Sequence, residues 1–398
     1  MSNFHAAIEI GTTRTVLAIG EEEVGGRLKV TCHAEIPSTG VRKSQILDIN
    51  QATSSIKSVL HAIEQKQSEA GSTITLGNAY LVVSGQHIKA DPYQVMVPIE
   101  GAKVGAEELD AVFRSSRTMQ IPKDREFLDI VDQDYEVDAL RGITAPRGMS
   151  GRILKLNTLQ IHADRNRIDN ARTAADEAKL EIREPLFAAT CAAEAVLDDH
   201  EKRNGVLVLD IGGGSTGYAA YSDGHLVTTG VIGVGGDHVT NDIAHAFQTT
   251  NSQAEHLKTE YASALIGTPG EPRVKVPGSS PLMESRTISR RALDTVVNAR
   301  LRELFTILRE TLEEQDLLNR LHAGAVLTGG GAAMHDIDAL VQRELGMPAR
   351  TGKPIHVDGF DGERFPASFA AVAGAIMYAS RTDEDKSIFD GILRRFFK

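Results

Sequence analysis

The strongest constraint on this 398-residue chain is one pattern that occurs twice. In Val206-Leu-Val-Leu-Asp-Ile-Gly-Gly-Gly-Ser-Thr-Gly217, an apolar, β-branched run ends in an acid, Asp210. Such a run reads as a buried strand. Gly212, Gly213 and Gly214 follow, then the hydroxyls of Ser215 and Thr216. In Ala7-Ile-Glu-Ile-Gly-Thr-Thr-Arg-Thr-Val-Leu-Ala-Ile-Gly20, a strand ends in Glu9, followed by Gly11, Thr12, Thr13 and Arg14 and a second strand. The two acids stand 201 positions apart. Glycine permits tight turns and close backbone approach, and successive exposed N–H groups form a nest for phosphate. A carboxylate cannot attract phosphate itself, so Glu9 and Asp210 point to a bridging Mg²⁺ held through water. One copy could equally be a tight hairpin with no ligand. Two copies are an internal repeat and predict paired domains closing on one ligand.

Two further glycine turns support that reading. The predicted strand at 227–234 runs into Gly235, Gly236 and Asp237, with a helix from 238. A helix N-terminus offers amides to phosphate. Ala325-Val-Leu-Thr is followed by Gly329, Gly330 and Gly331 and then Met334, with no acid before the glycines. A flat backbone approach there suits a nucleoside. Glu255 and Lys258 lie three apart on a predicted helix at 252–264; without context this is a surface ion pair. Glu184 precedes Pro185, read as a helix start. It is either a first-turn dipole partner or a base facing a cleft.

Elsewhere, helices are expected at 51–67, 106–118, 164–180 and 289–318, with a strand at 79–83. Residues 84–162 read as a compact inserted module of short strands around one helix, without a catalytic constellation. Its His87 and the distant His162 read as surface or structural. Residues 267–281 are a Gly/Pro/Ser-rich loop and 357–366 are irregular; a close-packed helix of small residues follows at 367–380. Arg290, Arg291, Arg300, Arg302 and Arg309 make the long helix basic, a candidate docking face on a chain of net charge -11. That net charge excludes a general nucleic-acid binder. Cys32 and Cys191 form neither metal spacing nor a disulfide framework and suit a reducing cytoplasm. Neither a signal peptide nor a bilayer-spanning run is expected.

The last twelve residues stand apart behind a charged linker at 381–386. On a helical wheel Ile388, Phe389, Ile392, Leu393, Phe396 and Phe397 occupy one half. Arg394, Arg395 and Lys398 share the other half with a single acid, Asp390. A basic amphipathic helix of this kind fits an anionic membrane surface. Each basic residue contributes about 1 kcal/mol near an anionic leaflet, while so short a helix must be ordered on binding. One tail therefore binds reversibly, and many tails on one assembly bind far more strongly.

The motifs Glu9-x-Gly-Thr-Thr, Glu184-Pro, Asp210-x-Gly-Gly-Gly-Ser-Thr and Leu327-Thr-Gly-Gly-Gly resemble the phosphate 1, connect 1, phosphate 2 and adenosine motifs of the actin-like ATPase superfamily. Tyr80-Leu-Val-Val-Ser-Gly-Gln-His-Ile-Lys89, Gly148-Met-Ser-Gly151, Gly235-Gly-Asp-His-Val-Thr-Asn-Asp-Ile-Ala244 and the tail are similar to the bacterial FtsA family. The resemblance implies an α/β, actin-like (ribonuclease H-like) fold of duplicated domains around a nucleotide cleft, with an inserted α+β subdomain. It divides the chain into subdomain IA (1–83, 163–203 and the last helix, 365–380) and IC (84–162). Subdomain IIA takes 204–235 and 322–364, IIB takes 236–321, and the linker and membrane helix follow at 381–386 and 387–398. It implies ATP and Mg²⁺ as ligands, with Glu184 and Asp210 as the residues of any hydrolysis. Glu255 and Lys258 then contact the adenosine. FtsZ would dock its C-terminal peptide on IIB, with Arg290, Arg291 and Arg300 as candidate contacts. The other implied partners are a second copy in a filament, other divisome proteins and the inner face of the cytoplasmic membrane at the division site.

Two departures bear on chemistry. The family usually has Asp where this chain has Glu9, and the superfamily often has Asp where this chain has Gly217. An extra methylene at the first position shifts the carboxylate by about one bond length. The expectation is an ATP-dependent assembly switch that is at most a slow ATPase. The alternatives are an FtsA-like pilus-assembly protein of the PilM type, a small-molecule kinase of the same superfamily, and an actin-fold scaffold with a dead site.

Overall fold

A computed structural model describes residues 4–23, 27–71, 76–118, 120–267, 272–276, 285–355, 357–359 and 365–382. Two sheets share one plan. In the first, Arg27–Pro37, Arg14–Glu23 and Phe4–Ile10 form an antiparallel meander, followed in parallel by Asn78–Val83 and Glu181–Phe187. In the second, His225–Ile232, Thr216–Ser222 and Val206–Ile211 form the meander, followed in parallel by Gly324–Thr328 and Ala349–Thr351. The order and directions of these five strands are identical in the two sheets, and the first adds a sixth, Val357–Asp358, at its edge. The repeat seen in the two turns is therefore a repeat of whole half-molecules.

The near-continuous apolar runs of the central strands are buried on both faces. Helices Ile49–Glu69 and Arg165–Glu177 cover the outer face of the first sheet through Ile56, Val59, Ile63 and Ala174. Helices Gly236–Ala246, Arg290–Glu314 and Ile337–Leu345 cover the second sheet through Val239, Leu304, Phe305 and Leu340. The inner faces share one core with two helices of small residues, Ala188–Val196 and 370–382. A Cβ built on Gly374 would stand 1.7 Å from the Cys191 carbonyl oxygen, so the small residues serve a backbone-to-backbone crossing.

The inserted module is a four-stranded antiparallel sheet, ordered Lys89–Pro98, Ile153–Asp164, Arg125–Val137, Leu140–Ile143, with the helix Ala106–Arg117 on it. Three of its strands are 10 to 13 residues long, not short as expected. His162 is structural: Arg125 Nε donates to its Nδ1 at 2.8 Å, and its Nε2 lies 2.8 Å from Asp91.

Several expected elements need correction. Pro185 does not start a helix: Glu181–Phe187 is a strand at the sheet edge, and the helix begins at Ala188. A proline is tolerated at an edge and at a bulge, and the pairing slips between Ile182 and Pro185. The loop expected at 267–281 contains a strand, Arg273–Val276, paired with Arg286–Ser289. The helix expected at 252–264 stops at Glu260, and the long basic helix stops at Glu314. Within the irregular segment, Val357–Asp358 pairs with the Arg27–Pro37 strand. The linker beyond 382 and the amphipathic tail at 387–398 lie outside the described residues.

Candidate functional site

The two hairpins of the repeat have one geometry. Glu9 pairs opposite Val16 and Ile10 opposite Thr15; Asp210 pairs opposite Gly217 and Ile211 opposite Thr216. Each turn is closed by the same bond, Gly11 N–H to the Arg14 carbonyl and Gly212 N–H to the Ser215 carbonyl, both at 3.0 Å. The tips meet across the cleft. A Cβ on Gly213 would stand 2.7 Å from Thr13 Cγ2, and one on Gly214 2.6 Å from Thr12 Oγ1. Glycine is required there because the two halves touch.

A third hairpin closes this contact. Val41–Arg42 and Gln45–Ile46 present Lys43 and Ser44 at their tip, both at positive φ, 49° and 57°. Side chains other than glycine's or asparagine's rarely sit there. Ser44 N–H donates to Thr12 Oγ1 at 2.8 Å, and its hydroxyl lies 3.2 Å from that of Ser215. Sequence reasoning missed this tip, which has neither glycine nor acid to mark it.

Glu9 and Asp210 come together at the cleft base. Burial, then the neighbouring Asp210, push Glu9 up from 4.5 to about 7, against the pull of Arg14. Burial pushes Asp210 up from 3.8 to about 6, against Arg14 and a hydrogen bond from Thr328. Arg14 is shared: it donates to Glu35 at 2.6 Å and to the Ser368 carbonyl. Two adjacent carboxylates whose burial opposes ionisation fit a hydrated Mg²⁺, a hard cation that prefers oxygen ligands and keeps several waters. Among the described residues no cluster of three or more His, Cys, Asp or Glu could cage a metal. A cation here would complete its shell with water and phosphate oxygens.

Beside the hairpins lies a cavity of about 220 Å³. Its lining gathers the expected Thr13, Gly212, Gly213, Gly235, Gly236, Glu255, Lys258, Gly330, Gly331 and Met334. Val239, Leu301, Leu304 and Ile337 add an apolar side suited to a purine. Leu301 and Leu304 belong to the helix read only for its basic residues. Lys258 Nζ donates to Glu255 at 2.7 Å and to Thr240 at 2.9 Å, and Thr240 donates to Glu255 at 2.6 Å. The pair is thus an ion pair and also part of the cavity wall. The fit is to the nucleoside end of a ligand. The hairpin tips themselves are in contact, with Ser44 bonded to Thr12 and close to Ser215. A larger hollow of about 910 Å³, near Glu22, Asp198 and Arg381, contains none of the glycine turns.

Other expected residues are placed differently. The amides of Gly236 and Asp237 do not point freely at a ligand; they donate to the carbonyls of Gly212 and Gly213 at 2.9 Å. Thr216 is buried, and its hydroxyl donates to the Val234 carbonyl at 2.8 Å. Gly329, at φ +78°, abuts Asp210 and Ile211, and Gly331 abuts Ile211; Gly330 faces open space. Gly217 packs on Ala189, where a Cβ would stand 2.9 Å from the alanine Cβ. Glu184 is not brought to the carboxylates. Its strand is two away from that of Glu9, about 10 Å across the sheet, and its charge, second to burial, contributes to the raised pKa of Tyr378.

The basic helix is largely neutralised. Arg300 forms a two-pronged pair with Asp242 at 2.6 and 3.0 Å, Arg302 pairs with Glu344 and Arg309 with Glu313. Arg290 lies near the buried Asp294. Arg291 is exposed.

Comparison with known proteins agrees with this geometry. Residues 207–374 match the family described as Cell division protein FtsA, and residues 85–162 match the SHS2 domain inserted in FTSA. The chain is 33% identical over 382 residues to the cell division protein FtsA of Pseudomonas aeruginosa, spanning 95% of this chain and 89% of that one. It is 30% identical over 385 residues to the FtsA of Escherichia coli K12, spanning 94% and 90%. Among solved structures, the PilM-PilN type IV pilus biogenesis complex gives a TM-score of 0.64 at 18% identity, covering 94% of this chain and 98% of that one. MreB5 of Spiroplasma citri bound to ADP gives 0.56 at 14%, covering 97% and 98%. At these identities the structural likeness is one of fold, which is actin-like.

Proposed function

Because the chain belongs to the FtsA family of cell-division proteins, we propose that it binds ATP with Mg²⁺ in the cleft between its two repeated halves. Nucleotide binding then sets its assembly into filaments on the inner face of the cytoplasmic membrane, where it anchors FtsZ at the division septum. One observation carries the nucleotide part: four glycine turns from separate parts of the chain, with the Glu255–Lys258 pair, converge on one cavity beside two buried carboxylates.

When bound, Mg²⁺ would neutralise the charge gathered by the two carboxylates and the phosphates. Glu9 and Asp210 would hold it through water, Thr13 and the glycine turns would bracket the phosphates, and Lys258 with Glu255 would fix the ribose or base. Glu184 lies outside this group and Gly217 carries no acid, so hydrolysis is slow at most and ATP acts as a switch. The tail, with Ile388, Phe389, Ile392, Leu393, Phe396 and Phe397 on one face, supplies reversible membrane attachment that assembly multiplies. FtsZ docks through its C-terminal peptide on the IIB face near Arg290 and Arg291, with Arg300 positioning the helix.

The test is co-sedimentation with anionic liposomes, with and without FtsZ. The intact chain brings FtsZ down with the vesicles. A chain lacking residues 387–398 stays in solution and still binds ATP. Normal sedimentation of the truncated chain would overturn the tail assignment, and loss of ATP binding in the intact chain would overturn the cleft.

A further inference from the structure

Behind the Lys43–Ser44 tip lies a second cavity of about 290 Å³, walled by Ser44, Gln45, Ser84, His87, Arg167 and Asn170. It sits where the inserted module leaves the first sheet and where the helix Arg165–Glu177 begins. His87 is 9% exposed, and neither ring nitrogen has a hydrogen-bond partner. A buried polar side chain without a partner is uncommon and calls for an explanation. Arg167 donates to the Gln45 side-chain oxygen at 3.1 Å in the amide orientation that satisfies both groups. Among the described residues, no carboxylate lies within ion-pair distance of its guanidinium. Asp164 also faces the cavity, but its Oδ1 caps the helix by accepting from Arg167 N–H at 3.3 Å.

Hydroxyls join this cavity to the cleft. Ser215 lies 3.2 Å from Ser44, and Ser84 donates to Ser44 at 3.4 Å. Burial, with Arg167 and Arg125 nearby and Asp164 opposing, holds His87 at about 4. The ring is therefore neutral near pH 7, with one nitrogen a donor and the other an acceptor. A guanidinium, hydroxyls and a ring that both donates and accepts match an oxyanion that still carries a proton. Hydrogenphosphate has that proton; sulfate does not.

We propose that this cavity binds inorganic phosphate, with Arg167 on its oxygens and His87 reading its O–H group. The inference rests on the nucleotide reading only for the source of the phosphate, which the hydroxyl track would connect to the cleft.

The experiment follows the His87 imidazole by nitrogen NMR in the full chain, assigned by its loss in H87F. Added phosphate shifts the His87 signals, and sulfate shifts them far less. R167Q, and independently N170D, weaken the phosphate effect by about tenfold or more, while binding of a fluorescent ATP analogue is unchanged. His87 signals that ignore phosphate, respond equally to sulfate, or respond equally in both variants would overturn the site. ATP with Mg²⁺ and no added phosphate then tests the source. The same shift developing with time supports supply from the cleft; a shift with added phosphate alone overturns that route. ATP-analogue binding is read separately, so failure of the cleft reading is distinguishable.

Discussion

Glu9 and Asp210 occupy the same position in two hairpins of matching register and come together at the base of one cleft, where each carboxyl keeps its proton to a higher pH than usual. Both folded values lie above the ordinary ones, so between about pH 4 and 7 the folded state binds more protons than the unfolded state. The stability this provides is full below the ordinary carboxylate range and is lost as pH rises through the folded values. Without Mg²⁺, melting temperature should therefore fall across this window. E9Q should flatten the fall and raise stability at pH 7. Thermal melts of both proteins check this; an unchanged slope in E9Q would place the proton elsewhere.

Lys258 stands in the cavity wall and satisfies Glu255 and Thr240. K258A should weaken ATP binding about tenfold or more, the scale of a lost charged hydrogen bond, with a smaller effect on melting. Titration with a fluorescent ATP analogue measures the first and a thermal scan the second.

The crossing of Gly374 over Cys191 leaves no room for a methyl group. G374A should push the two central helices apart and destabilise the chain by about 3 kcal/mol, the upper range for overpacking. Urea denaturation provides the measurement. G217D, set against Ala189, should also destabilise and should not confer faster ATP turnover.

Arg291 and Arg300 separate docking from structure. R300A leaves Asp242 without its two-pronged partner and should lower stability by roughly 1 kcal/mol, since the pair is partly exposed and screened by solvent. R291A, on an exposed side chain, should leave the melt unchanged and weaken binding of the FtsZ C-terminal peptide. Peptide anisotropy and thermal melts, run on both variants, distinguish the two roles.

Local pattern made much of the site legible. A strand ending in an acid and a glycine run is short-range chemistry, so both hairpins and the glycine turns could be read directly, whereas the Glu255–Lys258 pair read locally as a surface ion pair and only the fold puts it in the cavity wall. Glu184 was misplaced for a local reason: a proline suits a helix start and an edge bulge equally, and only the sheet order decides between them. The amides of Gly236 and Asp237 seemed free because their acceptors, the carbonyls of Gly212 and Gly213, lie in a distant turn.

The sequence by itself determined the two matching strand-and-glycine hairpins and the amphipathic character of the tail, because each is a pattern within about twenty residues; that the hairpins head two repeated halves rests on the sheet order. Tertiary structure alone decided that the two hairpin tips touch, that Lys43 and Ser44 wedge against them, that Leu301 and Leu304 wall the cavity, and that most of the basic helix is already paired. These are contacts between segments tens to hundreds of residues apart. They depend on how two sheets pack on shared central helices, and packing between distant segments leaves no local periodicity to read.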